Sequence, residues 1–412
     1  MIIYRLGIRL YGAVIRLVKG FNSKAKAFSD GRKGWRENLS SRNWEGKVIW
    51  MHCASLGEFE QGRPVLERCR DEFPNAKILL TFFSPSGYEV RKDYKGADFV
   101  TYLPLDLSRN VKDFLDIVSP ELALFVKYEV WPGYFMELSK REIPLILFSA
   151  IFRDNHRYFK PFGGVFRAAL RSASHILVQN QSSKELLGSI GLNQVEVTGD
   201  TRFDRVSQIA QKSPSLEMIR AFKNDEMLLV VGSSWPAEEA MVLSYLNSTQ
   251  IPFKTIFAPH EIGESRISSL HSQAGVGALR YSKMQKSELA EARILIIDNL
   301  GLLSKVYREA DVAFIGGGFG KGLHNTLEAA VFGVPILAGP NHEKFKEVVD
   351  LKTEGGLYAV SDQQEFEAKL GELLKNDVLR LEAGKRCEDY VERSLGATGI
   401  IFSKVKMVFS AE

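Results

Sequence analysis

Lys47–Gly62 reads KVIWMHCASLGEFEQG. Val48–His52 is a short run, apolar but for its last residue, that ends in small residues and gives way to a segment of helical composition predicted to start near Glu58. A strand with no polar alternation is one buried on both faces, which is the signature of a parallel sheet covered by helices. The same rhythm of short apolar run and longer helix-like segment recurs at Ile78–Phe82, Leu122–Val126, Leu145–Phe148, Ile176–Gln179 and Val195–Thr198. A second series follows the polar stretch near Asp204–Ser215, at Met227–Val231, Thr255–Ala258, Ile294–Ile297, Val312–Gly316 and Pro335–Ala338. Two α/β domains with open parallel sheets are therefore predicted, joined near residue 205. In such folds ligands lie outside the carboxyl ends of the strands, and with two domains the site is expected in the cleft between them.

Composition agrees. The chain has 412 residues, 45% apolar and 25% charged, which excludes disorder, collagen and coiled coil as its main architecture. Three cysteines, Cys53, Cys69 and Cys387, form no CxxC pair and support neither a disulfide framework nor a thiolate zinc site, so a reducing compartment fits better. The formal charge of +4 conceals an asymmetry: residues 1–50 carry eleven Lys or Arg against three Asp or Glu, and the remainder is slightly acidic. A basic element meeting an anionic surface is indicated, rather than a nucleic-acid-binding body.

That element begins MIIYRLGIRLYGAVIRLVKG, too interrupted by arginine to span a bilayer. On a helical wheel Arg5, Arg9, Arg16 and Lys19 fall within one arc, and Ile3, Leu6, Leu10, Val14 and Leu17 lie opposite. The pattern is that of an amphipathic helix lying in a membrane interface, with Lys24, Lys26, Arg32, Lys33 and Arg36 extending the positive patch. A helix docked on its own domain would read similarly. Residues 1–40 are assigned to this segment, 41–205 to the first α/β domain and 206–412 to the second.

Several strand ends carry residues suited to chemistry. Glu58, after the first strand, is the candidate general base; a helix N-terminus would lower its pKa and weaken it as a base unless burial offsets the dipole. Dipole complementation is the plain alternative. Ser55 and Gly57 precede it, and Glu129, in Lys127-Tyr128-Glu129-Val130-Trp131-Pro132, occupies a second strand end. Arg202, in Gly199-Asp200-Thr201-Arg202-Phe203-Asp204, suits either an acidic ligand or a surface ion pair. In the second domain Gly232-Ser233-Ser234-Trp235-Pro236 is read as a phosphate loop or an N-cap. Phe257-Ala258-Pro259-His260-Glu261 offers backbone to a base edge, and Gly316-Gly317-Gly318-Phe319-Gly320-Lys321-Gly322 leads into a helix predicted over Leu323–Phe332. There His324 and Glu328 would share a face beside Asn325, with the carboxylate placed for ribose hydroxyls. The glycine loop matches neither the dinucleotide fingerprint nor a P-loop, and HxxxH, HExxH and GxSxG are absent. No metal or cofactor is expected.

In this order, Ala54-Ser55-Leu56-Gly57-Glu58, Glu129-Val130-Trp131-Pro132, Gly199–Asp204, Gly232-Ser233-Ser234 with Glu238-Glu239, Ala258-Pro259, and Gly316-Gly317-Gly318 leading to His324-Asn325-Thr326-Leu327-Glu328 resemble the 3-deoxy-D-manno-octulosonic acid (Kdo) transferases of lipopolysaccharide assembly. The resemblance covers nearly the whole chain. It implies an inverting, metal-independent glycosyltransferase of the GT-B type, two Rossmann-like domains across a cleft, at the cytoplasmic face of the bacterial inner membrane. CMP-Kdo would be the donor and a phosphorylated lipid A precursor the acceptor. Glu58 matches the family's catalytic base and Glu129 an acceptor-side carboxylate; Ser233, Ser234, Ala258, Pro259, His260, Gly316, Gly317, Gly318, His324, Asn325 and Glu328 fall on the donor site. The chain departs from the family at Lys127, where a further acidic residue is usual, at Gly322-Leu323, at Ala329 and in Ser149-Ala150-Ile151-Phe152-Arg153. Another GT-B enzyme or epimerase using a nucleotide-diphosphate sugar, and a non-catalytic membrane-bound binding module, are the rival readings.

Overall fold

The structure is a computed structural model that describes residues 1–320 and 322–410. Its two compact units comprise Met1–Arg205 together with the chain from Leu395 onward, and Val206–Ser394. The first holds a parallel sheet of seven strands: β1 (Val48–Cys53), β2 (Lys77–Phe82), β3 (Phe99–Tyr102), β4 (Leu122–Val126), β5 (Leu145–Ala150), β6 (His175–Val178) and β7 (Val195–Val197). Their order is β3-β2-β1-β4-β5-β6-β7, so the strand sequence reverses direction between β1 and β4. The second holds β8 (Leu228–Ser234), β9 (Lys254–Pro259), β10 (Ala278–Arg280), β11 (Ile294–Ile296), β12 (Val312–Ile315), β13 (Ile336–Ala338) and β14 (Leu357–Ala359), ordered β10-β11-β9-β8-β12-β13-β14. Its reversal lies between β8 and β12.

β1 is buried along its whole length because it lies inside the sheet with helices on both faces. Alternate residues serve opposite layers: Val48 and Trp50 join the core built on helices Ser108–Val118 and Pro132–Lys140, while Ile49, Met51 and Cys53 join the core on helix Leu56–Glu72. All three cysteines are buried and unpaired.

The C-terminal helix, Ala397–Phe409, belongs to the first unit, which corrects the expectation of one domain over 206–412. Its Ile401, Phe402, Val405 and Phe409 fill the Leu56–Glu72 side of the first core. Asp204 caps its start, its two carboxylate oxygens accepting from the N–H groups of Gly396 at 2.7 Å and Thr398 at 2.6 Å.

The N-terminal helix, Ile2–Val18, docks on the first unit through the side bearing Tyr4, Ile8 and Gly12. Tyr4 donates to the buried Asp106 at 2.7 Å, and a Cβ at Gly12 would press on Leu105 at 2.7 Å. Ile3, Leu6, Leu10, Val14 and Leu17 are left in solvent, with Ile3 87% and Leu17 78% exposed. The basic arc is not one free face: Arg9 and Arg16 are exposed, Arg5 is half-buried, and Lys19 pairs with Asp30 at 3.6 Å. No helix among the described residues is long and apolar enough to cross a membrane.

Candidate active site

At the β1/β4 reversal the first unit gathers Glu58, Glu129 and His52. Glu58 sits in the first turn of helix Leu56–Glu72, 6% exposed, and accepts from the Ala54 N–H at 2.5 Å. Burial, then the charge of Glu129, push its pKa up to about 8, against the opposing pull of the Ala54 N–H and of Lys127. Desolvation therefore outweighs the helix dipole. Gly57 has ordinary backbone geometry, and a Cβ there would meet open space, so neither packing nor φ demands a glycine.

Glu129 follows β4 after Lys127, a non-glycine residue at φ +67° that closes the strand by donating its N–H to Phe148. The Trp131 indole donates to Glu129 Oε2 at 3.0 Å, and His52 Nε2 approaches the same oxygen at 3.8 Å. His52 is fully buried, and burial holds its pKa below the usual imidazole value. Thr81 Oγ1 accepts from the Trp50 indole at 2.8 Å and lies 2.9 Å from His52 Nδ1, against 3.4 Å from the Met51 carbonyl. In the tautomer whose Nδ1 accepts from Thr81, the N–H of the neutral ring is on Nε2, on the side of Glu129. A histidine ending an otherwise apolar central strand was the sequence signal for this group, and motif spacing alone passed over it.

Ser55 stands at the N-cap position of the Glu58 helix without a side-chain cap bond. Arg202 lies away from the carboxylate pair: its guanidinium and N–H hold the buried Asp200, at 2.8 and 2.9 Å, and Asp200 also accepts from Gln61. Arg202 thus makes an ion pair with Asp200. Arg5, Arg9, Arg16 and Lys19 belong to the N-terminal helix described above.

The second unit brings its residues together at the β8/β12 reversal. Ser233 and Ser234 end β8, with Ser233 at φ +51°, and the N-cap of the next helix is Trp235, so neither serine is the cap. Ser234 donates to Glu239 at 2.6 Å, and Glu239 pairs with Arg266. Glu238 accepts from the Gly317 N–H at 2.8 Å and the Trp235 N–H at 3.2 Å. Ala258 and Pro259 end β9, beside the Ser234 edge. His260 stacks on Trp235, with ring centres 4.9 Å apart, and on His324 at 4.4 Å. Trp235 Nε1 donates to His324 Nε2 at 3.2 Å, and burial, with His260 beside it, holds the His324 pKa down at about 4.

Two expectations are corrected here. The helix is only Leu327–Ala330, so His324 and Asn325 precede it and His324 does not share a helical face with Glu328. Asn325 instead donates to Glu328 at 3.0 Å and accepts the Leu327 N–H. In the glycine loop the N–H groups of Gly316, Gly317, Gly320 and Gly322 are already engaged within the protein. Gly316 and Gly318 are there for close packing: a Cβ on the first would strike the Ser233 carbonyl, and one on the second would lie 2.6 Å from the Gly339 nitrogen. Lys321 lies outside the described residues. No group of three or more His, Cys, Asp or Glu side chains among the described residues is arranged to hold a metal ion.

A sequence model described as 3-deoxy-D-manno-octulosonic-acid transferase (kdotransferase) matches residues 31–205, which include Glu58, Glu129 and Arg202. The 3-deoxy-D-manno-octulosonic acid transferase of Haemophilus influenzae is 25% identical over 385 residues, covering 89% of this chain and 88% of that protein. Over most of its length the chain is similar to Kdo transferases. The Aquifex aeolicus Kdo transferase is 28% identical over 342 residues, 81% of this chain and 88% of its own. Among solved structures, a UDP-GlcNAc 2-epimerase of Neisseria meningitidis aligns with a TM-score of 0.62 at 15% identity, covering 88% of this chain and all of that one. The last likeness concerns the fold, two Rossmann-like sheets of the GT-B kind; the similarity to Kdo transferases along most of the chain indicates a glycosyltransferase.

Proposed function

We propose that this glycosyltransferase moves Kdo from CMP-Kdo to a hydroxyl of a phosphorylated lipid A precursor, with inversion and without a metal, at the cytoplasmic face of the inner membrane. The observation that carries the reading is Glu58: a buried carboxylate at the carboxyl end of a central strand, with a pKa raised to about 8 and open space beside Gly57. A base must be near its operating pH to accept a proton and still exist as the anion. Glu58 takes the proton as the acceptor oxygen attacks the anomeric carbon, and the bond to CMP breaks on the opposite face. CMP departs as an anion, and on the family resemblance Ser233, Ser234, the Ala258-Pro259 backbone, His260, the glycine loop, His324, Asn325 and Glu328 hold it.

The exposed apolar row of the N-terminal helix, with Phe21 97% exposed just beyond it, supports seating on a lipid surface, and Arg9 and Arg16 flank that row within reach of lipid phosphates.

The test is transfer from CMP-Kdo to a tetraacylated, bisphosphorylated disaccharide precursor in the presence of EDTA, with products counted by mass. Product from wild type and none from folded Glu58→Gln supports donor, base and metal independence together, and the mass gives the number of sugars added. Failure of wild type to bind or use CMP-Kdo, with turnover of a nucleotide-diphosphate sugar, replaces this reading with the rival enzyme; binding without any turnover leaves the binding module.

A further inference from the structure

A cavity of about 830 Å³ opens beside Glu129 in the first unit. One wall is the N-terminal helix, through Tyr4, Ile8 and Tyr11, and the facing wall is the loop after β5, which presents Arg153, Arg157 and Lys160. These walls are fixed to the Glu129 strand end. Tyr158, buried in the basic loop, donates to the Tyr128 carbonyl at 2.9 Å, one residue before Glu129. Arg167 braces the same loop by donating to the carbonyls of Tyr158 and Lys160, both at 2.9 Å. On the other side Asp106 ties Tyr4 to the Gly133 N–H, at the start of the helix that follows Trp131.

The lining is divided by chemistry. Three cations face a single lining carboxylate, and burial together with Arg153 and Arg157 keeps the pKa of neighbouring His156 down. Three cations lining one cavity favour a multivalent anion, and two guanidinium groups match phosphate oxygens better than ammonium groups do. The opposite wall is aromatic and aliphatic. On a helical wheel at ~100° per residue, it continues around the N-terminal helix through Tyr11, Val18 and Val14 to the exposed apolar row.

We propose that this cavity seats the acceptor's headgroup, with a phosphate monoester of an acylated amphiphile held by Arg153, Arg157 and Lys160 and its apolar chains leaving across Tyr4, Ile8 and Tyr11. The N-terminal helix is then a wall of the acceptor site as well as a membrane contact. This inference rests on the lipid-acceptor reading above and adds to it the groups that recognise the lipid. It also gives a use to Arg153, which stands in the segment where the chain departs from the family pattern.

The experiment measures binding to the full chain in detergent, without donor, of the bisphosphorylated tetraacyl disaccharide and of the same compound stripped of phosphate. An Arg153→Ala/Arg157→Ala double variant is expected to weaken the phosphorylated ligand at least tenfold and leave the stripped ligand where it was. In the transfer assay its acceptor KM should rise by a similar factor, with the CMP-Kdo KM unmoved. Ile8→Asp should weaken both ligands. Inorganic phosphate at the ligand's concentration should not compete; if it does, the site takes free phosphate and the amphiphile is wrong. Equal losses from an Arg109→Ala/Lys375→Ala variant, which removes two cations exposed elsewhere, would assign the effect to net charge and overturn the site. Binding that depends on Arg153 and Arg157, with no Kdo transfer by wild type, would sink the function proposed above and leave the site standing. Transfer with an unchanged acceptor KM in the double variant would do the reverse.

Discussion

Each unit places a pair of glutamates at the point where its strand order reverses, both buried in the second unit and only Glu58 in the first, and the two pairs are treated in opposite ways. In the second unit Glu238 and Glu239 are both 1% exposed and amply partnered, by the Gly317 and Trp235 N–H groups in one case and by Ser234 and Arg266 in the other. In the first unit Glu58 has the backbone N–H groups of Ala54 and Ser55, Glu129 has the Trp131 indole with His52 Nε2 at 3.8 Å, and no arginine within an ion-pair distance answers either among the described residues. A carboxylate tied to a neighbouring loop or an arginine fixes shape; one whose burial and like-charged neighbour raise its pKa holds a proton it can exchange. The contrast supports a constructive role for the Glu238–Glu239 pair and fits the proton transfer proposed for Glu58.

The sharpest way to break that assignment is to remove one proton acceptor from each. Glu58→Gln keeps the shape and an oxygen for the Ala54 N–H but cannot take a proton, so kcat is expected to fall by about 10²–10⁴ with the fold intact. A variant that retains more than a tenth of wild-type kcat would remove Glu58 from the chemistry. Glu239→Gln is expected to act on stability instead. It leaves Arg266, whose side chain is only 19% exposed, without its anion, and about 3 kcal/mol should be lost from the urea unfolding free energy. Its kcat per folded molecule should change far less than that of Glu58→Gln. Unfolding at the wild-type urea midpoint would show that Ser234 and its surroundings do not depend on this pair.

The sequence carried the two sheets but not their margins. The inner strands are uninterrupted apolar runs, and their positions are readable within a residue or two. β3, β10 and β14 escape a reading by hydrophobic runs because they are edge strands of only three or four residues, too short to carry a distinct apolar run; β7, the fourth edge strand, is as short but legible at Val195–Thr198. The return of Ala397–Phe409 to the first unit was equally hidden, since a helix's apolar stripe does not say which core it fills. At the site, residue type and strand-end position pointed to Glu58 and Glu129. The sign of the Glu58 shift was not legible, because it is decided by burial and by Glu129, which lies 71 positions away in the chain. His324 illustrates the converse: i,i+4 spacing suggested a shared face, but the chain before Leu327 is not helical and the ring turns to Trp235 and His260.

The raised pKa sharpens the comparison through pH. In the free enzyme Glu58 must lose its proton to act as a base, so kcat/KM is expected to climb with pH and level off above about 8. Burial is the larger cause of the shift and the charge of Glu129 the next. Glu129→Gln should therefore move the rise to lower pH without returning it to the range of a solvated carboxylate. A rise that stays where it is in that variant would break the electrostatic link between the two glutamates.

The smallest expected effect is on stability, and its sign follows from the same shift. Glu58 binds a proton more tightly in the folded protein, at about 8, than in an unfolded chain, near 4.5. Its contribution is fully present below pH ~4.5 and is lost as pH rises through about 8, because deprotonation then leaves a charge that burial and Glu129 oppose. The amide that Glu58→Gln introduces has no such proton to lose. Thermal unfolding of this variant and wild type should therefore diverge with pH, with the variant gaining a few degrees on the wild type between pH 5 and pH 8.5. A constant difference across that range would mean that Glu58 titrates alike folded and unfolded, and the catalytic use of its raised pKa would fall with it. The gain also separates the two functions of the first-unit pair: a residue selected for stability would not improve the fold when its charge is removed, whereas a base held in a poorly solvated site should.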